Sequence, residues 1–349
     1  FSSAAPEAFG FLGTTRATVT VNGGTLLRPS SPAPVSVVGG DIGIDQGHLV
    51  TIGGGDLRVV AVGQHAQEVA FSGKLRAAYG DLDIMNGGTL QTAATGATDG
   101  GQIAVSAGNI RVDSGSGGLT GIRSRAENGT GKGGDLDIAA TNHVLLTNDG
   151  IVASDTVTSG KAGSVEVAAA GTLSVRNGAY IDSSTYSSGD AGSVKVIANS
   201  LTLDRAAISS GTYDQASGNA GWVDVAASGS LALFNGGLIE SSTWSSGNAG
   251  VVGVRAGSLT IDGREGGSTG IFSVARDGST GQAGRVEVTA RGHIEILNQG
   301  LITSSTASSG DAGLVKVSTG SLTIEEARDE SPKPPLSALA AVPAILPAV

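Results

Sequence analysis

Four charged side chains have the types and the spacing that acid–base chemistry on a polysaccharide would use. Asp135 and Asp137 lie close together, and Asp137, Glu166 and Lys195 follow one another at equal steps of about 29 residues. Polysaccharide lyases and hydrolases need clustered carboxylates, beside a basic side chain, on one exposed face. The alternative is a solvated face that only fixes the alignment of neighbouring segments. The regular spacing favours this alternative.

The remaining motifs predict neither a metal site nor a nucleotide site. His48, His65, His143 and His293 share no metal-ligand spacing. Residues 129–133, Gly-Thr-Gly-Lys-Gly, lack the glycine spacing and the following Ser or Thr of a phosphate-binding loop, so we interpret them as a turn. The Asp-containing glycine turns also lack the nonapeptide pattern of calcium-binding repeats. We therefore predict no cofactor.

Composition excludes several classes of protein. The chain has 57 Gly in 349 residues but only two Trp, four Tyr and six Phe, so a large aromatic core cannot organise it. Its glycines lack the three-residue period of collagen, and 39% hydrophobic residues is too many for a disordered chain. A formal net charge of −10 without a Lys/Arg cluster predicts no nucleic-acid partner. A repeat architecture remains.

The sequence also bears on the compartment. The absence of Cys excludes disulfides and suits a protein that is exported unfolded. No apolar run approaches the roughly 20 residues that cross a bilayer, so no membrane span is predicted. No signal peptide opens the chain, and we expect it to be a portion of a longer precursor.

One glycine-containing motif repeats along most of the chain. It begins at Gly131, and further copies begin at Gly160, Gly189, Gly218, Gly247, Gly281 and Gly310. The copies read GKGGDLDI, GKAGSVEV, GDAGSVKV, GNAGWVDV, GNAGVVGV, GQAGRVEV and GDAGLVKV. Two shorter relatives, at 79–84 and 100–105, extend the series toward the N-terminus. The step is about 29 residues except for one longer step after Gly247, and a period of this length predicts units that stack on one another.

Each repeat contains three short segments with apolar residues at alternate positions, which is the period of β-strands. Stacked about 4.8 Å apart, such strands pair with the coils above and below and enclose a core of Val, Ile, Leu and Ala. We predict an all-β fold, a right-handed parallel β-helix (β-solenoid) with coils of about 29 residues. The handedness follows from the usual chirality of parallel β connections.

The predicted solenoid covers residues 15–326, roughly a dozen coils and about 55–60 Å of rod. Residues 1–14 form an N-terminal cap or junction segment, and residues 327–349 form a Pro-rich, apolar tail. The third residue after the second glycine of each motif should face solvent, where charges of opposite sign alternate between coils. These outward residues are Asp83, Ala104, Asp137, Glu166, Lys195, Asp224, Gly253, Glu287 and Lys316.

Two segments near the N-terminus resemble a known family. FSSAAPEAFGFLG at 1–13 and VSVVGGDIGIDQGHLVTIGGGDLRVVAVG at 35–63 are similar to large exoproteins of the filamentous-haemagglutinin type. In that family the first segment follows an N-terminal secretion domain, and the second opens a long β-helical passenger. The resemblance implies export by two-partner secretion through an outer-membrane pore, and a place at the bacterial cell surface or in the extracellular matrix.

The few aromatic residues are candidate contact sites. Tyr186, Tyr213 and Trp244 precede the glycine motif in consecutive coils, and Trp222 takes an outward position at a strand. Three roles are open for them, and the first is favoured: they stack on each other across coils, they form a subunit or partner interface, or they contact a glycan.

The two ends are candidate junctions between rods. The tail holds five of the nine prolines and cannot continue a hydrogen-bonded coil, yet its last residues are almost wholly apolar. Candidate intersubunit residues of the tail are Leu336, Leu339, Val342, Ile345, Leu346 and Val349. Candidate N-terminal junction residues are Phe1, Phe9 and Phe11. Either these segments cap their own ends, or they join one rod to the next.

These observations favour an extracellular structural or adhesive rod, without enzymatic activity, that self-associates into fibres or binds a surface glycan or receptor. The rival hypothesis is a carbohydrate-active enzyme on a β-helix. A cluster of carboxylates in a groove bordered by basic residues would favour the enzyme, and an even, shallow surface would favour the rod.

Overall fold

A computed structural model describes residues 8–11, 13, 15–64, 67–70, 78–115, 117–213, 216–264, 267–307 and 309–325. These described residues form 27 strands and no helix. The first fourteen are β1 Ala8–Phe11, β2 Val19–Asn22, β3 Leu26–Leu27, β4 Val35–Gly39, β5 Ile42–Asp45, β6 His48–Ile52, β7 Leu57–Ala61, β8 Gln67–Ala70, β9 Asp81–Met85, β10 Thr89–Ala94, β11 Ile103–Ala107, β12 Asn109–Asp113, β13 Gly121–Ala126 and β14 Leu136–Ala140. The others are β15 Val144–Thr147, β16 Ile151–Thr156, β17 Val165–Arg176, β18 Tyr180–Asp182, β19 Val194–Asp204, β20 Ala207–Thr212, β21 Val223–Phe234, β22 Leu238–Thr243, β23 Val251–Asp262, β24 Gly270–Ala275, β25 Arg285–Leu297, β26 Leu301–Thr306 and β27 Leu314–Glu325.

The strands stack into two long parallel sheets. One sheet has ten strands in the order β3-β6-β10-β13-β16-β18-β20-β22-β24-β26, and the other has fifteen. From β17 onward, one long strand of the fifteen-stranded sheet carries the first two apolar segments of each repeat, and the ten-stranded sheet carries the third. The fold is therefore a parallel β-solenoid of about 29 residues per turn, which confirms the predicted architecture.

The number of turns is about eight rather than the predicted dozen. One early coil is longer than the later ones, because Thr89 of β10 pairs with His48 of β6, 41 residues earlier. Part of this longer coil is the strand β8, which leaves the stack and pairs antiparallel with β1. At about 4.8 Å per turn, the stack is roughly 40 Å long.

The predicted outward column is correct in the later coils and wrong at Asp83. Asp137, Glu166 and Lys195 are successive partners in adjacent strands. Asp83, however, pairs with Gly43 and Arg111, so β9 belongs to the second segment of its coil. The first segment is β7, which pairs with β11. The two segments have the same alternation of apolar residues, and only the long-range pairing distinguishes them.

The core is a set of aliphatic columns between the sheets. Val165, Val194 and Val223 are paired in adjacent strands and are fully buried. Burial of such columns supplies most of the driving force for folding. Among the described residues the columns end at the last coil, where Ile324 is 67% exposed.

Serine and glycine residues close the corner between the sheets. The Ser183 hydroxyl donates to the carbonyl oxygen of Gly163 at 2.7 Å and accepts the N–H of Gly192 at 3.0 Å. Equivalent pairs of bonds recur at Ser154, Ser210, Ser241 and Ser273. Each hydroxyl satisfies two buried backbone groups that the strands leave without partners.

A first prediction concerns the second glycine of the motif. A Cβ on Gly250 would lie 1.8 Å from the carbonyl oxygen of Gly221 in the preceding coil, so Gly250→Ala must push the coils apart. We expect the free energy of unfolding to fall by roughly 3 kcal/mol, the upper range for overpacking. Gly253→Ala is the matched control in the same coil, because its nearest contact is Asp224 Oδ1 at 3.4 Å. Equal thermal melts for the two variants would contradict the close approach of the backbones.

Candidate functional site

The carboxylates singled out in the sequence do not form a cluster in a groove. Lys195 Nζ lies 3.1 Å from Glu166 Oε1, and the Ser164 N–H donates to Asp135 Oδ1 at 2.7 Å. Asp137 is the strand neighbour of Glu166. All four residues belong to the outer face of the fifteen-stranded sheet or its turns, so the geometry matches the alternative of a face that fixes register.

A different set of carboxyl groups does lie in a groove, on the ten-stranded sheet. The groove has a volume of about 380 Å³ and crosses the three coils of β18, β20 and β22. Its floor includes Asp182, Ser209 and Glu240, which are successive partners across the sheet. Because they share one column, the groove runs along the axis of the solenoid.

Two serine hydroxyls hold the Asp182 carboxyl group in place. Ser209 Oγ donates to Asp182 Oδ1 at 2.7 Å, and Ser184 Oγ donates to the same oxygen at 2.8 Å. Ser209 lies between Asp182 and Glu240 in the column. Asp182 is therefore buried, hydrogen-bonded and fixed in orientation at the floor of the groove.

Arginines compensate the other two carboxylates of the groove. Asp155 Oδ2 lies 3.2 Å from Arg123 Nη2, and Glu240 Oε2 lies 2.5 Å from Arg276 Nη2. All three acidic residues, Asp155, Asp182 and Glu240, are buried. The site thus combines three carboxyl groups with the two arginines that pair with Asp155 and Glu240, and Arg205 also lines the groove.

Burial changes the protonation of these groups. It raises the pKa of Asp182 to about 8, and the neighbouring negative charge of Asp155 adds to the effect. Burial also raises the pKa of Asp155, against the opposing influence of Arg123, and raises the pKa of Tyr180 to about 12. Asp182 consequently holds its proton at neutral pH.

An aromatic ladder borders the groove. The rings of Tyr186 and Tyr213 stack with centroids 5.3 Å apart, and those of Tyr213 and Trp244 stack at 6.4 Å. The Arg276 guanidinium group lies 4.9 Å above the Trp244 ring. The stacking that the sequence favoured for these residues is therefore present, and the ladder joins three consecutive coils. Tyr186 and Tyr213 line the groove.

No family model, curated protein or solved structure matches this chain. The groove and its neighbouring surfaces are therefore interpreted from their own chemistry. The described residues contain no helix that could cross a membrane and no group of three or more His, Asp or Glu side chains arranged to hold a metal ion.

Trp222, the fourth aromatic candidate, lies away from the groove. It immediately precedes β21 of the fifteen-stranded sheet and is 46% exposed. Its neighbour in the next coil is the exposed Val251, because Val223 pairs with Val252. The two side chains form a small apolar surface.

The candidate junction residues are only partly described. Phe9 and Phe11 belong to β1, and Phe11 packs against a cluster that contains Val60, Val62 and Val69. This part of the N-terminal segment therefore contacts the flank of its own solenoid. Phe1 lies outside the described residues, and so do Leu336, Leu339, Val342, Ile345, Leu346 and Val349.

A sequence signal for the groove lies in the third segment of the repeat, away from the glycine motif. Asp182 and Glu240 occupy the same position in the segments AYIDSST (179–185) and GLIESST (237–243), two repeats apart. An acidic residue directly after a buried Ile points outward in a strand, so these two carboxyl groups share a face. Asp155 gives no such signal, because it lies two residues further along its strand, in another column.

Proposed function

We propose that the protein is an extracellular structural or adhesive rod of a bacterial cell surface or matrix, of the filamentous-haemagglutinin type. The observation that carries this proposal is the unbroken parallel pairing from β10 to β27, with the same serine and glycine bonds in coil after coil. A stack of this kind gives length and stiffness with little material. Export through an outer-membrane pore and secretion to the surface belong to the same proposal.

Self-association is the part of this proposal that the end of the solenoid supports. In the described residues β27 pairs only with β25, so its other edge presents free backbone N–H and C=O groups. Leu314, Leu322 and Ile324 of this last coil are exposed. An open strand edge with apolar side chains is a template for pairing with another chain. The alternative partners of the rod are a surface glycan or a protein receptor.

Deletion of residues 331–349 tests the role of the tail. We expect the deletion to abolish end-to-end association while thermal melting stays unchanged, because apolar tail residues that dock on a neighbouring rod remove area from water at about 25 cal/mol per Å². Electron microscopy and light scattering measure assembly. Isolated rods in the full chain, or a destabilised monomer with unchanged assembly in the deletion, would contradict an intersubunit tail.

A carbohydrate-active enzyme is the second candidate, and the groove is the observation that favours it. Asp182 and Glu240 lie two strands apart in one column and both line the groove, and glycoside hydrolysis uses a pair of carboxyl groups. The protonated Asp182 would act as general acid, and Glu240 as general base. Glu240 Oε2 is however already occupied by Arg276 Nη2 at 2.5 Å, and an oxygen that is held in this way favours the rod.

The enzyme hypothesis has a direct test. Incubation with neutral and acidic polysaccharides, followed by mass spectrometry, should give no new reducing ends if the protein is only a rod. Cleavage that disappears in both Asp182→Asn and Glu240→Gln would instead establish the groove as an active site.

A further inference from the structure

The groove on the ten-stranded sheet has the dimensions and lining of a ligand site. Its volume of about 380 Å³ lies within the roughly 300–1,000 Å³ of small-molecule sites. One side is formed by the stacked Tyr186 and Tyr213, and the other by turn residues that include Gly178 and Arg205. It follows the rod axis across three coils, so an extended ligand fits it better than a compact one.

The floor of the groove alternates polar and apolar surface. The column of Asp182, Ser209 and Glu240 supplies hydroxyl and carboxyl oxygens. The parallel column, two residues earlier in each strand, contains Ala207 and Leu238 and supplies apolar contact. A ligand that matches both columns has hydroxyl groups along one edge and C–H groups along the other. A pyranose chain has this character.

The charges of the groove favour a neutral ligand. Asp155 is paired with Arg123, and Glu240 with Arg276, at 3.2 and 2.5 Å. Each ion pair carries no net charge, and Arg205 on the opposite side donates to Asn177 Oδ1 at 3.1 Å, so the floor offers no ion-pairing partner to a charged ligand. The carboxylate and hydroxyl oxygens can still accept hydrogen bonds from ligand hydroxyl groups, because each oxygen has more than one acceptor position.

The stacked rings have a defined role in such a site. Tyr213 lies between Tyr186 and Trp244, so its two faces are covered by its neighbours. The ladder therefore offers ring edges and exposed rims along the groove rather than a flat platform. A rigid wall of this kind costs little ordering entropy when a ligand binds.

We infer that this groove binds a linear, neutral oligosaccharide lying along the rod axis, against the Tyr186–Tyr213 wall and over Ser209. The inference gives the adhesive part of the proposed function a site and rests on that part, but it is independent of self-association.

Calorimetry with the full chain tests this inference. The probes are cellotetraose, mannotetraose, maltotetraose and N-acetylated chitotetraose, with tetragalacturonate and fully deacetylated chitotetraose as charged comparators. We expect one-to-one binding of at least one neutral probe, and at least tenfold weaker binding of both charged probes. Failure of all four neutral probes to bind, or tighter binding of a charged one, would overturn the inference.

Variants locate the binding. Ala207→Trp fills the floor of the groove and should weaken binding at least tenfold, and Ala207→Leu, which perturbs the sheet less, should give a smaller loss. Ala232→Trp is the matched control, because Ala232 takes an outward, half-buried position in β21 of the other sheet. Equal affinities for Ala207→Leu, Ala232→Trp and the unmodified chain would place the ligand elsewhere.

Two further readouts separate this inference from the other proposals. Mass spectrometry of the bound probe should show it intact, since cleavage would indicate the enzyme instead of a binding site. Electron microscopy of Ala207→Trp should show assembly equal to that of the unmodified chain. Lost assembly in this variant with unchanged affinity would overturn the groove as a glycan site and identify it as a contact between rods.

Discussion

Val194→Asp is expected to lower the free energy of unfolding by several kcal/mol, a large part of the about 5–15 kcal/mol that stabilises a typical domain. Val194 is fully buried and pairs with Val165 and Val223, so the new carboxylate would lie in a dry aliphatic column without a partner. Thermal melting monitored by circular dichroism measures the effect. Val223→Asp, one coil further, should behave in the same way.

Ile197→Asp is the matched control for this prediction. Ile197 lies three residues from Val194 on the same strand but faces outward, where it is 39% exposed. A surface substitution of this kind usually changes stability by no more than about 0.5 kcal/mol. If Val194→Asp had the same melting temperature as the unmodified chain, or if Ile197→Asp lowered it more, the assignment of inward and outward columns would have to be exchanged.

The later coils were predictable because local and long-range information agree there. From Gly160 onward the motif returns with a nearly constant step, so the residues at one position of the repeat necessarily stack. The regular step therefore predicted that Glu166 and Lys195 lie in one column with alternating charge, and the two side chains form an ion pair in the structure. The regular step also placed Tyr186, Tyr213 and Trp244 near one another in successive coils.

The first coils could not be predicted in the same way. The segment at 79–84 has the motif of a first strand, yet β9 pairs as a second strand with β12. The alternation of apolar residues is identical in both kinds of strand, so it cannot show whether a strand is the first or the second segment of its coil. The long stretch of chain between the partners His48 and Thr89 also breaks the period, and the antiparallel pair of β1 and β8 has no counterpart elsewhere in the described chain.

The sequence analysis did not predict the groove, and the reason is physical. The acidic residues that follow the glycine motif lie on the fifteen-stranded sheet, while Asp182 and Glu240 lie in the third segment of the repeat. Their shared column could be predicted from the sequence, because they are two repeats apart. Their burial could not be predicted, because it depends on Tyr213 and on the turns of neighbouring coils. Burial is what makes these carboxyl groups chemically different from those of the outward column.

Asp182→Asn should change how the stability of the solenoid depends on pH. The pKa of Asp182 is raised by burial to about 8, whereas in the unfolded chain it is about 4. Below pH 4 both states hold the proton. Between about pH 4 and pH 8 the unfolded chain has released the proton and the native protein has not, so the free energy of unfolding falls as pH rises, by at most about 1.4 kcal/mol per pH unit.

The variant should remove most of this fall between pH 5 and pH 8, and should be more stable than the unmodified chain at pH 8. Its amide oxygen can still accept the hydrogen bonds of Ser184 and Ser209, so the packing is preserved, and the amide has no proton to release in this pH range. Asp137→Asn, on the outer face of the other sheet, is the control and should keep the pH dependence of the unmodified chain. If the melting temperatures of Asp182→Asn and the unmodified chain changed with pH in parallel across this range, Asp182 would be ionised in the folded protein. The groove would then carry an uncompensated negative charge.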